Sequence, residues 1–331
     1  MRTNAPAKYL NGKRFGGKMC NVRLKMQITN YELQITNLKL FFQCFVFLCV
    51  LCTFAGNSFA QTNLDVLAEK INRGNTEQKR DALFQIRNLE TKEASRIAVA
   101  ALRDSNETVR ATAAFSIIFL PKDEALQVLL PLLNDKKELV RRETAYALGK
   151  VRNRDAINFL IQIFQKDKIS DVRNAAIVAL GEIGDASAVD ALITILQKKP
   201  KSEDEFLRRS AARSIGQIAQ IIQTNETKVL TPEKFLLDKY NLIEKPKYFN
   251  LTATFPTFRT ANNILIQTLQ NQKEFDDVKR EAAFALGEIA DKSAIPVLQT
   301  NLTAKDYYLA EISQESLRKI AVYAEYEKFG K

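Results

Sequence analysis

A chain of 331 residues, 46% apolar and 26% charged, has ample material for a core and room for one large domain or two ordinary ones. It contains no histidine and no tryptophan, and its four cysteines (Cys20, Cys44, Cys49, Cys52) all precede residue 53. That excludes Ser-His-Asp and Cys-His catalysis, imidazole metal ligands and, beyond residue 52, any disulfide or thiolate metal site. Net charge is +11, but +7 of it lies in the first 40 residues, residues 41–60 are uncharged, and the body from Gln61 carries only +4. The nucleic-acid partner that total charge suggests is thereby excluded, since a phosphate backbone needs several Lys or Arg in register.

Residues 1–60 read as a leader. An uncharged apolar run over 40–55, preceded by Lys39, has signal-peptide length and falls short of the roughly 20 residues that span a bilayer as a helix. Ser58 and Ala60 supply small residues at the −3 and −1 positions of a cleavage site. Cleavage after Ala60 would give a periplasmic or secreted protein beginning at Gln61. The alternative is a membrane anchor formed by residues 40–56, and only then does a membrane become a partner. A body without cysteine suits an oxidising compartment. The run 27–33 nearly repeats as 34–40, so Met19 or Met26 is a candidate start.

From residue 61 onward the organising fact is internal repetition. A short apolar helix over residues 64–71, closed by Gly74, leads in as a cap. Six copies then start at Gln78, Val109, Val140, Val172, Leu207 and Val278. Four residues after each start comes a small residue (Ala82, Ala113, Thr144, Ala176, Ala211, Ala282), which lets a neighbouring helix approach. Eight after it comes an aliphatic (Ile86, Ile117, Leu148, Leu180, Ile215, Leu286), followed in the last four copies by Gly149, Gly181, Gly216 and Gly287. Sixteen after it comes an alanine (Ala94, Ala125, Ala156, Ala188, Ala294), which the fifth copy displaces by 38 residues to Ala261. Eight further on is another apolar residue: Leu102, Leu133, Phe164, Leu196, Leu269 or Leu302. Apolar spacings of three and four give each segment one buried helical stripe, and Gly, Asp or Pro marks the bend between two helices. One such pair cannot bury its stripe alone, so pairs must stack. A closing copy over residues 312–320 continues through Tyr323 and Tyr326 as the second cap.

The pattern Asp-x4-Val-Arg-x2-Ala-Ala-x-Ala-Leu-Gly-x-Ile-Gly-Asp, as it stands in residues 167–185, resembles the short HEAT-like repeats of phycobilin lyases, and the resemblance covers residues 75–331. It implies an all-α fold: a right-handed α-α superhelix (HEAT-like solenoid) of six helical pairs plus capping helices, with the second helix of each pair lining the concave face. The copy spacing of 31–35 residues also raises tetratricopeptide and ankyrin arrays, but their signature residues are missing.

Three residue sets are candidates for function. Arg110, Arg141, Arg173, Arg208 and Lys279 form a basic column, with Asp104, Asp135 and Asp167 five residues before three of the copy starts. It is either an anion-binding stripe or a structural ladder in which each cation bridges to a neighbouring turn, and the recurring acids favour the ladder. On the second helices, Gln127, Asn158 and Asp190 lie two residues after the alanine column, and Gln162, Thr194 and Gln267 six after it. If they face the groove, it is amide-rich and suits a protein or peptide; otherwise they are ordinary solvated surface. The insertion over about 220–258 carries Tyr240, Tyr248, Phe249, Phe255 and Phe258, and would serve as a partner-binding flap, as extra core on the solenoid or as a mobile linker.

These readings converge on a non-catalytic protein-binding scaffold over residues 61–331, without cofactor or metal. The alternative is an enzyme or enzyme subunit of the bilin-lyase or HEAT-like oxidoreductase type. The oxidoreductases this repeat resembles bind iron through His-Glu pairs, which a chain without histidine cannot form.

Overall fold

The computed structural model describes residues 63–224 and 250–329. The leader and residues 225–249, which include Tyr240, Tyr248 and Phe249, lie outside them. Every regular element among the described residues is helical. A first helix over residues 63–73 (α1) precedes six pairs. These are α2 (Thr76–Leu89) with α3 (Lys92–Ala98), α4 (Glu107–Ser116) with α5 (Lys122–Leu129), and α6 (Glu138–Val151) with α7 (Ile157–Lys166). There follow α8 (Ser170–Ile183) with α9 (Val189–Leu196), α10 (Glu205–Thr224) with α12 (Pro256–Gln270), and α13 (Asp276–Ile289) with α14 (Ile295–Thr300). A single turn, α11 (Leu251–Thr254), leads into α12, and α15 (Tyr307–Phe329) closes the array. The chain is an all-α solenoid.

The bend within a pair is a two-residue device. Four residues after the buried aliphatic, the chain turns left-handed at Glu90, Arg152, Gly184 and Ala290, with φ of 52°, 56°, 76° and 59°. The amides of Arg152, Gly184 and Ala290 donate to the carbonyls of Leu148, Leu180 and Leu286, closing the helix. The next residue caps the turn that opens the second helix: Thr91, Asn153, Asp185 and Asp291 accept from the backbone of Ala94, Asp155, Ser187 and Ser293. Only one of the four left-handed positions is glycine.

First helices stack on one another in chain order, and from α5 onward each second helix packs chiefly against the first helix of the next pair. The predicted core columns are buried throughout, from Ile86 to Leu286 and from Ala94 to Ala294. Leu302 is the exception at 43% exposed, because only α15 follows it. Both caps dock, α1 through Leu67 and Ile71 and α15 through Ile320 and Tyr323.

The glycine column lies inside the helices and not at the bends. A methyl group on Gly149 would sit 2.8 Å from the Cα of Ala179, and one on Gly216 would sit 2.8 Å from the Cα of Ala285. Gly181 and Gly287 meet Ser214 and Ser316 in the same way. First helices therefore approach closely at this column, and the small residues at the fourth position are buried as well. Ser116, Ser214 and Ser316 donate across this seam to the carbonyls of Leu83, Ile177 and Ala283, at 3.0, 3.0 and 2.8 Å.

The interruption is narrower than 220–258. Helix α10 runs straight through residues 220–224, since Ala219 and Gln220 offer no turn chemistry, and the chain is docked again by Leu251. On the near side, the Gln223 side chain donates to the Glu288 carbonyl at 2.9 Å. On the far side, the Thr252 hydroxyl donates to Asp291 at 2.7 Å.

Candidate functional site: the inter-repeat ladder and the second-helix surface

The basic column forms a ladder whose register differs from the sequence spacing. In the first three copies the cation reaches the carboxylate 25 or 26 residues ahead, and not the one behind it. Lys79 donates to Asp104 at 2.6 Å, a rung carried by the weak first copy. Arg110 holds Asp135 through two nitrogens at 2.9 and 3.0 Å, and Arg141 holds Asp167 at 2.7 and 3.0 Å. Such bidentate pairing is the geometry guanidinium favours. The third nitrogen takes the backbone carbonyl of the preceding aspartate: Asp104 for Arg110, Asp135 for Arg141. Each aspartate also accepts from the amide two residues on, so its position is fixed.

Burial alone would raise the carboxyls of Asp104, Asp135 and Asp167. The hydrogen bonds from Lys79, Arg110 and Arg141 and from the backbone, together with the neighbouring positive charge, outweigh it and hold all three below the usual carboxylate value. Arg110 and Arg141 are correspondingly raised, first by the hydrogen bond to their aspartate.

Arg208 is fully buried and donates to Glu274 and to the carbonyls of Ile195, Leu196 and Lys198. Lys279 does not form the sixth rung. It lies 4.0 Å from Asp276 on its own helix, while Arg280, one residue on, holds Asp306 at 2.7 Å. A lysine ammonium is a point charge on a flexible stem, and the guanidinium next to it makes the directed contact. Arg173 holds no aspartate ahead of it, and its charge falls on Asp167, the acid that Arg141 already holds. The Arg173 Nε is buried without an acceptor, and among the described residues its side chain makes no ion pair.

On the second helices, Gln127, Asn158, Gln162, Asp190, Thr194 and Gln267 are all exposed, on α5, α7, α9 and α12. The opposite faces of these helices are core. Asp190 already accepts the hydroxyl of Thr257, tying α9 to α12.

The insertion aromatics divide. Phe258 is fully buried on α12, and Phe255 packs edge-on against it with ring centroids 6.3 Å apart. Phe258 is therefore core and not a flap residue, and the half-buried Phe255 packs against the same core where the chain returns to it. Among the described residues there is no cluster of three or more acidic side chains placed for a metal, and no helix long and apolar enough to cross a membrane.

Comparison with known proteins gives family matches of two kinds. The HEAT repeats model matches residues 64–145, 95–181 and 126–216, and the PBS lyase HEAT-like repeat model matches residues 278–303. An uncharacterized phycocyanin operon protein Y of Pseudanabaena tenuis is 37% identical over 83 residues, 24% of this chain. That match spans only 20% of the relative's length. Among solved structures, the complex of CpcE and CpcF of phycocyanin lyase from Nostoc sp. PCC7120 is 18% identical. That match covers 79% of this chain and 92% of the other, with a TM-score of 0.42. A designed armadillo repeat protein in complex with the peptide (KR)4 is 16% identical. Here 78% of this chain and 99% of the other are covered, with a TM-score of 0.39.

Proposed function

Because this chain is a HEAT-repeat protein, we propose that it works as a non-catalytic binding scaffold for a protein or peptide, in the periplasm or outside the cell. The observation that carries this reading is the row of exposed amide and hydroxyl side chains on successive second helices, from Gln127 to Gln267. Each stands on a helix whose other face is locked into the core, so the row is a preformed polar surface along the stack. Such a surface offers paired donors and acceptors to a peptide backbone at little ordering cost. The near-neutral body argues against a phosphate backbone as ligand.

Capture from a periplasmic extract on the immobilised chain 61–331 tests it. A specific protein should be retained, and the triple variant Asn158→Ala, Gln162→Ala, Thr194→Ala should release it. Retention that is indifferent to the triple variant would overturn the surface assignment. Export is tested by fractionation and N-terminal sequencing, with Gln61 as the expected first residue of the mature chain.

A second reading, a subunit of a bilin-lyase-type enzyme, draws on the PBS lyase HEAT-like repeat match at residues 278–303. A purified chain that transfers or binds a linear tetrapyrrole would favour it over the scaffold.

A further inference from the structure

The ladder breaks at one place, and the break is chemically specific. In the second and third pairs, Arg110 and Arg141 face Asp135 and Asp167. The equivalent cation of the fourth pair is Arg173, and the slot ahead of it holds Lys198. The identity of that slot rests on a backbone contact. Arg110 and Arg141 each donate one nitrogen to the carbonyl of the residue in the slot behind them, Asp104 and Asp135. Arg208 donates the same nitrogen to the carbonyl of Lys198, at 2.7 Å. Lys198 also stands two residues after the buried Leu196, as Asp104 and Asp135 stand after Leu102 and Leu133. So where two successive rungs pair an arginine with an aspartate, the fourth sets an arginine toward a lysine.

Around this break the protein leaves a pocket of about 320 Å³ between α7, α8, α9 and the start of α10. Arg173, Lys198, Gln165 and Thr194 supply its polar lining, and Phe164 and Leu207 belong to its apolar wall. Gln165, Thr194 and Lys198 are exposed, so the pocket opens to solvent beside the second-helix row. Asp204 also lines it, and makes no ion pair with Arg173. Two cations against one carboxylate leave a positive site. The Nε of Arg173 is buried without an acceptor.

We propose that this pocket receives a carboxylate side chain from the partner protein, which completes the fourth rung from outside by bridging Arg173 and Lys198. The inference rests on the scaffold reading and adds the chemistry of the partner: an Asp or Glu presented on a segment lying along the second helices. Arg173 is then the fork that orients the acid, and Gln165 and Thr194 contact the flanking backbone.

The test uses the chain 61–331 and a fluorescein-labelled hexaaspartate peptide, with hexaasparagine as control, at low and physiological salt. Hexaaspartate should bind, and Arg173→Gln should weaken it at least tenfold, while Arg103→Gln, which removes an exposed charge elsewhere, should leave it within twofold. Lys198→Asp should abolish binding and raise the melting temperature, because the missing rung is then supplied internally. Undiminished binding to Arg173→Gln or Lys198→Asp, or no binding to the parent chain, would overturn the proposal. The two readings fail separately: if a captured partner is lost with the triple variant but kept with Arg173→Gln, the scaffold stands and the pocket falls.

Discussion

Arg208 and Glu274 lie 66 residues apart in sequence and meet across the interrupted fifth pair, at 2% and 0% side-chain exposure. Arg208 also gathers three carbonyls at the end of α9, so one guanidinium joins the fourth, fifth and sixth pairs.

Replacing Arg208 by Gln should therefore destabilise the array by about 3–5 kcal/mol, because Glu274 is left charged and buried without its partner. Urea unfolding of Arg208→Gln, Glu274→Gln and the double variant checks it. The double variant should cost much less than the sum of the singles. A single-variant cost below about 1 kcal/mol would mean that water or another cation already compensates Glu274.

Gly149→Ala should destabilise the protein although it removes a glycine from a helix interior. Ala is the better helix former by about 1 kcal/mol. The added methyl, however, would sit 2.8 Å from the backbone of Ala179, which has no flexible end to move aside. Overpacking of this kind costs about 1–3 kcal/mol, so a lowered unfolding midpoint is expected. A raised one would show that the first helices can slide apart.

Ala290→Gly should act in the opposite direction. Ala290 caps α13 with φ of 59°, where a Cβ is strained and glycine is free. A gain of about 1 kcal/mol in urea unfolding is expected, with no change in the slope of the transition.

Stability should fall with acid through the ladder. Asp135 and Asp167 are held below their unfolded value of about 4. Their contribution is fully present above that pH and is lost as the pH falls through the lower folded value. Asp167→Asn should cost roughly 1–3 kcal/mol near neutrality, and its deficit against the parent should shrink steadily below about pH 4. A deficit unchanged down to pH 3 would remove the charge on Asp167 from the account.

The solenoid was legible because it is written at fixed intervals. Four columns, from Ile86 to Leu286 and from Ala94 to Ala294, declare which residues must be buried, and burial follows them closely. Contact between columns was harder to read. The sequence sets Asp104 near Arg110, yet the carboxylate that Arg110 holds is Asp135, because Asp104 lies behind the turn and the next repeat brings another aspartate alongside. Gly181 resembled a bend residue by its closeness to Gly184, whereas a helix needing contact with its neighbour and a chain needing a turn both select glycine. Phe258 was legible as flap or as extra core, and it is core; only the displaced Ala261, five residues after the start of α12, hinted at that choice. Arg173 fits its column perfectly; its difference lies in Lys198, visible only once the slot is known.

The two sides of the interruption are fastened to the same neighbour, Gln223 to Glu288 and Thr252 to Asp291, both at the end of α13 and the bend after it. Continuity of the stack at this point is carried through space as well as along the chain. The protein is thus built like a spliced cable, with both sides of the splice lashed to the next repeat. A chain divided within residues 225–249 should keep its repeats in register as two clamped halves.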